Sequence, residues 1–384
     1  MIALDRRSSL LVQCVTYLAF SAPIGMLGAG WPQAREIFDA SSGSLGVVAG
    51  GYGMGRLVTA PLALPILRRW HIRTASTVLG TALSAACVAV ALTRSFPMLV
   101  AAMTAVGLLT GCLDSMGHRY QSVVRNVGSA GLMFGAYGVG STLGPAIVAT
   151  TSWTVGYLAA AALAASAALL ASSRAVDWPA ALRTAEPPRG DHGKVRVPLR
   201  SVVLSLSVFA IYPGIEVLTA NWAASYLEGD RGISATVAAW AMSGFWAGIT
   251  LGRLTLGQVA RRGWTIQPAR VLTMAGLGVA AVYLAIPVVP APAAVGLLSL
   301  AGVSLAGIFP TLMSTTADRV GVAAAGRMTG WQLLTANVAA TGLSIAVGIG
   351  VDRTGDAVPA LAMAALAVVG LPLLLTSVRV HAAT

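Results

Sequence analysis

The stretch "SSRAVDWPAALRTAEPPRGDHGKVRVPLR", residues 172–200, is the one long polar segment in an otherwise apolar chain. It holds six basic residues, three acids and four prolines, a composition that favours an extended linker over a packed element. Its position decides the fold, because the apolar blocks on either side of it come in equal number. Six precede it, near 10–31, 43–64, 74–92, 97–118, 128–150 and 153–172. Six follow it, near 201–223, 235–258, 269–288, 292–314, 328–350 and 357–377. Each block approaches or exceeds the roughly 20 residues that cross a hydrocarbon core about 30 Å thick.

The rest of the composition agrees. Of 384 residues, 56% are hydrophobic and only 10% charged, outside the range of soluble domains. Backbone groups cannot go unpaired in lipid, and the blocks are too long and too uniformly apolar for barrel strands, so helices are expected. The fold class is therefore an all-α membrane protein, with twelve transmembrane helices in two pseudo-symmetric six-helix bundles. The expected domains are residues 1–172 and 201–384, joined by a linker over 173–200.

A net charge of +12 suggests nucleic acid until its placement is mapped. With the N-terminus inside, nineteen of the 25 Lys and Arg fall in segments on one side, including Arg6, Arg7, Arg68, Arg69, Arg73, Arg119, Arg261, Arg262 and six in the linker. Only Arg35, Arg94, Arg231 and Arg353 fall on the other side. This is the positive-inside pattern, which puts both termini in the cytoplasm of a multi-pass protein of the cell membrane and accounts for the charge without nucleic acid. Cys14, Cys87 and Cys112 all lie in apolar blocks without metal or redox spacing.

The two halves echo one another. "GMGRLVTAPLALPILRRW" (53–70) and "TLGRLTLGQVARRGW" (250–264) both run Gly-Arg-Leu, an apolar stretch, then paired arginines. Such internal repeats are the mark of transporters that work by moving one bundle against another around a midplane site. Counting at 1.5 Å per residue from the paired arginines puts Arg56 near the midplane, about 18 Å in. Arg253, about 12 Å in, stays within reach of the inner surface.

Further stretches carry a family resemblance. "YPGIEVLTANWAASYL" (212–227), "SGFWAGITLGRLTLG" (243–257), "AGVSLAGIFPTLM" (301–313), "AYGVGSTLGP" (136–145) and "GCLDSMGHRY" (111–120) resemble the seventh, eighth, tenth, fifth and fourth helices of the major facilitator superfamily, in particular its fucose permease group. The resemblance implies the major facilitator fold and a solute cavity between the halves. It also marks departures. Arg68 stands where the loop between the second and third helices usually carries an acid, His71 replaces a glycine, and Gly28 replaces an acid late in the first helix. His118 stands where the group has asparagine four residues after the fourth-helix acid. A relay of two acids copied from the group is therefore not available to this chain.

Charges inside spans are costly, on the order of 3 kcal/mol each, and mark functional sites. Asp114, Glu216, Arg56 and Arg253 are the candidates, with His118 one helical turn beyond Asp114. Burial favours a neutral Asp114 and a neighbouring Arg56 favours the carboxylate, a balance suited to proton coupling; the alternative is a permanent structural pair. His118, as an imidazole, suits passing or sensing a proton. Glu216 is expected toward the outer part of the seventh span. With Tyr212, Asn221 and Trp222 it forms a polar and aromatic face that either lines the cavity or closes an outer gate around a break at Pro213 and Gly214. Tyr17, Tyr137 and Trp246 are further cavity candidates. The amides of Gln332 and Asn337 require either a solute or a neighbouring helix.

Gly140, Gly144 and Pro145 point equally to tight packing and to gating, and Arg68, Arg69 and Arg253 are the remaining gate candidates. No phosphate loop, metal cluster or nucleophile motif appears, so the chain reads as no enzyme. It needs no cofactor, runs on a proton gradient, and acts as a monomer on a small solute. Symport is the first expectation. A proton-driven exporter is the second, since the Gly131 to Pro145 spacing resembles most of an antiporter motif, although this chain has Val148 and Ala149 where that motif ends in paired glycines. A non-transporting receptor is the third.

Overall fold

The computed structural model describes residues 7–59, 69–124, 126–179, 197–262 and 267–382. Its regular elements are helical throughout the described residues. The longer ones are α1 (Arg7–Ile37), α2 (Leu45–Leu57), α3 (Ile72–Leu92), α4 (Phe96–Val124), α5 (Val127–Thr150), α6 (Trp153–Ser172), α7 (Leu199–Gly229), α8 (Ala235–Arg261), α9 (Pro268–Ala285), α10 (Ala291–Ala306), α11 (Val322–Thr354) and α12 (Val358–Ala382). Two short helices, Ile308–Ser314 and Thr316–Val320, connect α10 to α11. Polar side chains at the loops start several of these helices. Asn126 accepts the Ser129 N–H, Ser152 accepts the Val155 N–H, and His71 Nδ1 accepts the Arg73 N–H.

Among the described residues, ten helical segments are long and apolar enough to cross a membrane. The other two expected spans correspond to α2, described for 13 residues, and α8, whose 27 residues include Arg253 and a run of Gly, Ser, Thr and Trp that dilutes its apolar content. Several helices outrun the blocks that predict them, α7 by two residues at its start and six at its end and α11 by six and four. Hydropathy reads the hydrocarbon slab, whereas a helix continues until its backbone finds a cap. The expected break at Pro213 and Gly214 does not occur, since α7 runs unbroken through both residues.

The chain divides into two compact units, Met1–Pro187 and Pro188–Thr384. In the first, α1 packs on α5 and α6, α2 on α4, and α3 on α6. In the second, α7 packs on α11 and α12, α8 on α10, and α9 on α12. Each of these pairings in the first unit therefore recurs six helices later. The internal repeat suggested by two Gly-Arg-Leu stretches extends to the main helix packing.

The start of the polar segment belongs to the first unit. Arg73 donates to the Val176 carbonyl, the Asp177 N–H donates to Ser8, and Val176 and Trp178 are buried. Residues 180–196 lie outside the described residues, as does Arg68.

Candidate functional site

The site is built on the crossing of α2 and α4. A Cβ placed on Gly55 would collide with the Thr104 carbonyl, and one on Gly107 with the Tyr52 carbonyl, so the two backbones touch where only hydrogen can stand. Arg56 follows directly on Gly55, and Asp114 stands two turns beyond Gly107. The crossing thus delivers Arg56 Nη2 to Asp114 Oδ2 at 3.0 Å. The other carboxylate oxygen accepts longer contacts, from the Tyr17 hydroxyl at 3.4 Å and from His118 Nε2 at 3.5 Å. Arg56 also donates from Nη1 to the Tyr52 hydroxyl, which is in turn paired with Thr110.

Aromatic rings surround this group. The Tyr17 ring lies on Gly117, where any Cβ would strike it, and stacks tilted on Phe20 at 4.8 Å. Phe134 of α5 sits 6.0 Å from Tyr17 and 6.1 Å from the His118 imidazole. Tyr137, one turn further along α5, sits 5.9 Å from Phe20. The Arg56 and Asp114 side chains remain 22% and 24% exposed and His118 58% exposed. Charged groups inside a membrane are costly against lipid, so side chains of this kind usually face a cavity or a partner. Phe20 and Phe134 are members of the site that the sequence reading missed. The available signal was spacing, since Phe134 lies one turn before Tyr137 on the same helical face.

The second unit carries a counterpart, with Arg253 Nη2 3.4 Å from Glu216 Oε2. This corrects the placement of Glu216 toward the outer side and Arg253 toward the inner surface, because the two meet. α7 already begins at Leu199 and, at 31 residues, is about 46 Å long. That exceeds a hydrocarbon core of about 30 Å, so depth counted from Arg200 is overstated. The glycine crossing recurs too, with Gly248 against the Ser299 carbonyl and Gly302 against the Phe245 carbonyl. The symmetry then fails at the acid, which stands on the fourth helix of the first unit and on the first helix of the second.

Other candidates turn away from such a site. Trp222 and Gln332 are fully buried, and Tyr212 is nearly so, its ring lying against Gly370 of α12 and its hydroxyl toward Gly276 of α9. None of the three offers a surface to a solute in this structure, which corrects their expected role. For Gln332 the neighbouring-helix alternative is the one observed. Its Nε2 donates to Ser205 at 2.7 Å and its Oε1 accepts from Thr316 at 3.2 Å. Asn221 donates to Ser344, Asn337 to its own helix at Leu333, and Trp246 is buried beside Phe245. Gly140 and Gly144 lie against the Leu18 and Ala22 carbonyls of α1, so tight packing is present there, with Pro145 inside a continuous α5. Arg69 is exposed.

Arg319 is buried. It donates to Thr315, Thr316 and the Leu312 carbonyl, and burial pulls its guanidinium down to about 10 against the opposing pull of Asp318. Through Thr316 it joins the Gln332 and Ser205 pair, tying α7, the short helix Thr316–Val320 and α11 together. Gln332→Leu should therefore cost about 1 kcal/mol of stability, typical of a buried hydrogen bond between membrane helices, while transport persists. Thermal unfolding in detergent alongside a transport assay checks this, and lost transport with unchanged unfolding would return Gln332 to the solute path.

The fold has solved counterparts. A nucleoside transporter, NupG, aligns over 97% of this chain and 100% of its own, with a TM-score of 0.77 and 13% identity. A bacterial homologue of the human lysosomal transporter Spinster, inward-facing and unoccupied, aligns over 100% and 99% with a TM-score of 0.72 and 14% identity. A peptide transporter, POT, aligns over 97% and 93% with a TM-score of 0.76 and 12% identity. No curated protein sequence matches the chain. A sequence model described as Major Facilitator Superfamily matches residues 10–344, and this multi-pass membrane protein belongs to that superfamily, as a transporter and not an enzyme.

Proposed function

We propose that the protein is a proton-coupled symporter of the cell membrane that moves a small polar solute, sugar-like or anionic, by alternating access. Both termini are cytoplasmic on this reading, the proton gradient is the energy source, no cofactor takes part, and the working unit is a monomer. The observation that carries the reading is the Arg56–Asp114 pair, ringed by Tyr17, His118 and Tyr52 and open on one face.

A carboxylate in this setting has two states that differ in what Arg56 does. Charged, Asp114 holds the guanidinium and the pair is neutral. Protonated, it leaves the guanidinium charge uncompensated at helix depth, which is unfavourable until something else satisfies it. Proton and solute are thereby made to depend on one another, which is the requirement for coupling. Arg253 and Glu216 place a second such pair in the other unit, available to line the path or to gate it.

Proton-driven export is the second reading, favoured by the close seating of Gly140 and Gly144 on α1 at the spacing shared with antiporters. The test begins with a solute library screened by thermal shift on the purified protein. Each stabilising solute is then measured for uptake into proteoliposomes under an imposed pH step. Symport predicts accumulation when the outside is acidic. Accumulation driven instead by an acidic interior would establish the export reading. No stabilising solute and no flux across the library would defeat both and leave a receptor.

A further inference from the structure

We propose that the solute is an aromatic monocarboxylate, whose carboxylate takes the place of Asp114 on Arg56 and whose ring lies against Phe134. This rests on the symport reading and names its solute.

The charge argument comes first. In the empty site Arg56 and Asp114 cancel. When a hydronium ion gives up its proton to an Asp114 oxygen, one O–H bond of hydronium breaks, one to the carboxyl forms, and the Arg56 guanidinium is left with its charge uncompensated. A neutral hydroxylated solute would leave that charge standing. A carboxylate removes it through charge-assisted, two-pronged hydrogen bonds. One carboxylate suffices, since among the described residues the permanent cation paired with Asp114 is Arg56. The other polar side chains around it are Tyr17 from α1, Tyr52 from α2 and His118 on its own helix, with Tyr137 of α5 nearby against Phe20. Empty and loaded sites then carry the same net charge, so each can reorient without carrying charge through the low-dielectric interior.

The ring argument is independent of the charge. Phe134 is 48% exposed, yet its ring touches both Tyr17 and His118, the two residues that contact Asp114 Oδ1. An apolar ring held open beside a charged pair, backed by Tyr17, Phe20 and Tyr137, offers an edge or offset face to another ring. An anion anchored on Arg56 would place its body against this wall.

Benzoate, cyclohexanecarboxylate, benzyl alcohol and a neutral hexose separate these terms by isothermal titration of the purified full chain at pH 7, in buffers of different ionisation enthalpy. The expected result is benzoate binding with one proton taken up per molecule, at least 10-fold tighter than cyclohexanecarboxylate, and no binding of benzyl alcohol. Phe134→Leu should bring the ratio of the two carboxylates to about one while the thermal unfolding profile persists. Arg56→Gln should abolish benzoate binding. No benzoate binding, binding without proton uptake, or equal affinity for the two carboxylates overturns the proposal. Proton-driven flux of the hexose in its place would overturn it while leaving symport intact. Proton-linked benzoate binding without protein-dependent flux of 3,4-dihydroxybenzoate, a poorly permeant analogue, would instead defeat symport and leave the site assignment standing.

Discussion

Asp114→Asn is expected to collapse proton-driven accumulation from about 30-fold to no gradient at all in proteoliposomes held at a step of about 1.5 pH units. The magnitude follows from one-to-one coupling without net charge movement, in which each pH unit supplies about 1.4 kcal/mol and so a tenfold concentration ratio. Asparagine has nearly the same shape, and its carbonyl still accepts from Arg56 Nη2, so the α2 and α4 crossing has no cause to shift. What it cannot do is take up a proton. Equilibration of the solute down its own gradient should therefore survive, which distinguishes lost coupling from a lost site. Asp114→Glu should restore part of the accumulation, because a carboxyl is again present although displaced by one methylene. His118→Asn is expected to have a much smaller effect, since its contact to Asp114 is long and its side chain is largely exposed. Steady-state uptake of whichever solute the library identifies, measured with and without a protonophore, decides the matter. Accumulation retained in the asparagine variant would remove Asp114 from the coupling step.

The Arg56–Asp114 pair was legible in the sequence for an energetic reason. Charges inside spans are so costly that only four stood out, and two charges of opposite sign in one bundle have strong cause to meet. The repeat was legible because Gly-Arg-Leu at two sites reports a close crossing with a cation beside it, and the structure shows both crossings, at Gly55 with Gly107 and at Gly248 with Gly302. The pairing of Glu216 with Arg253 was not legible. Depth had to be counted from the paired basic residues, and helices that overhang the hydrocarbon make that count too long.

The orientations of Tyr212, Trp222 and Gln332 were hidden for a different reason. In water a helix shows its buried face by contrast with a polar one. In lipid both faces are apolar, and α7 and α11 offer little periodic contrast along their length. Phe134 was lost in the same way, as one apolar residue among many, until its ring contacts with Tyr17 and His118 set it apart.

Gly107→Ala should be the most damaging single-methyl change in the first unit. In most helices this exchange helps, by about 1 kcal/mol of helix propensity, so the expected loss runs against the local trend. The reason is what the new methyl would meet. It would fall on the Tyr52 carbonyl and backbone, which cannot swing aside as a long side chain would. The helices must separate, which forfeits contacts along the whole crossing, and overpacking of this kind typically costs about 1–3 kcal/mol. Separation also moves Arg56, four residues after Tyr52, away from Asp114, so the variant should lose solute binding as well as thermal stability. Gly302→Ala, whose methyl would meet the Phe245 carbonyl, should repeat the stability loss in the second unit. Gly135→Ala and Gly330→Ala serve as controls, because nothing lies within 4 Å of a Cβ at either position, and both should unfold at or slightly above the wild-type temperature. Thermal unfolding and solute titration of the four variants give the comparison. If Gly107→Ala behaved like the controls, the α2 and α4 crossing could not be what sets the distance between Arg56 and Asp114. The pair would then have to be held by the Tyr17 and Tyr52 hydroxyls alone, and Tyr17→Phe with Tyr52→Phe would become the changes that break it.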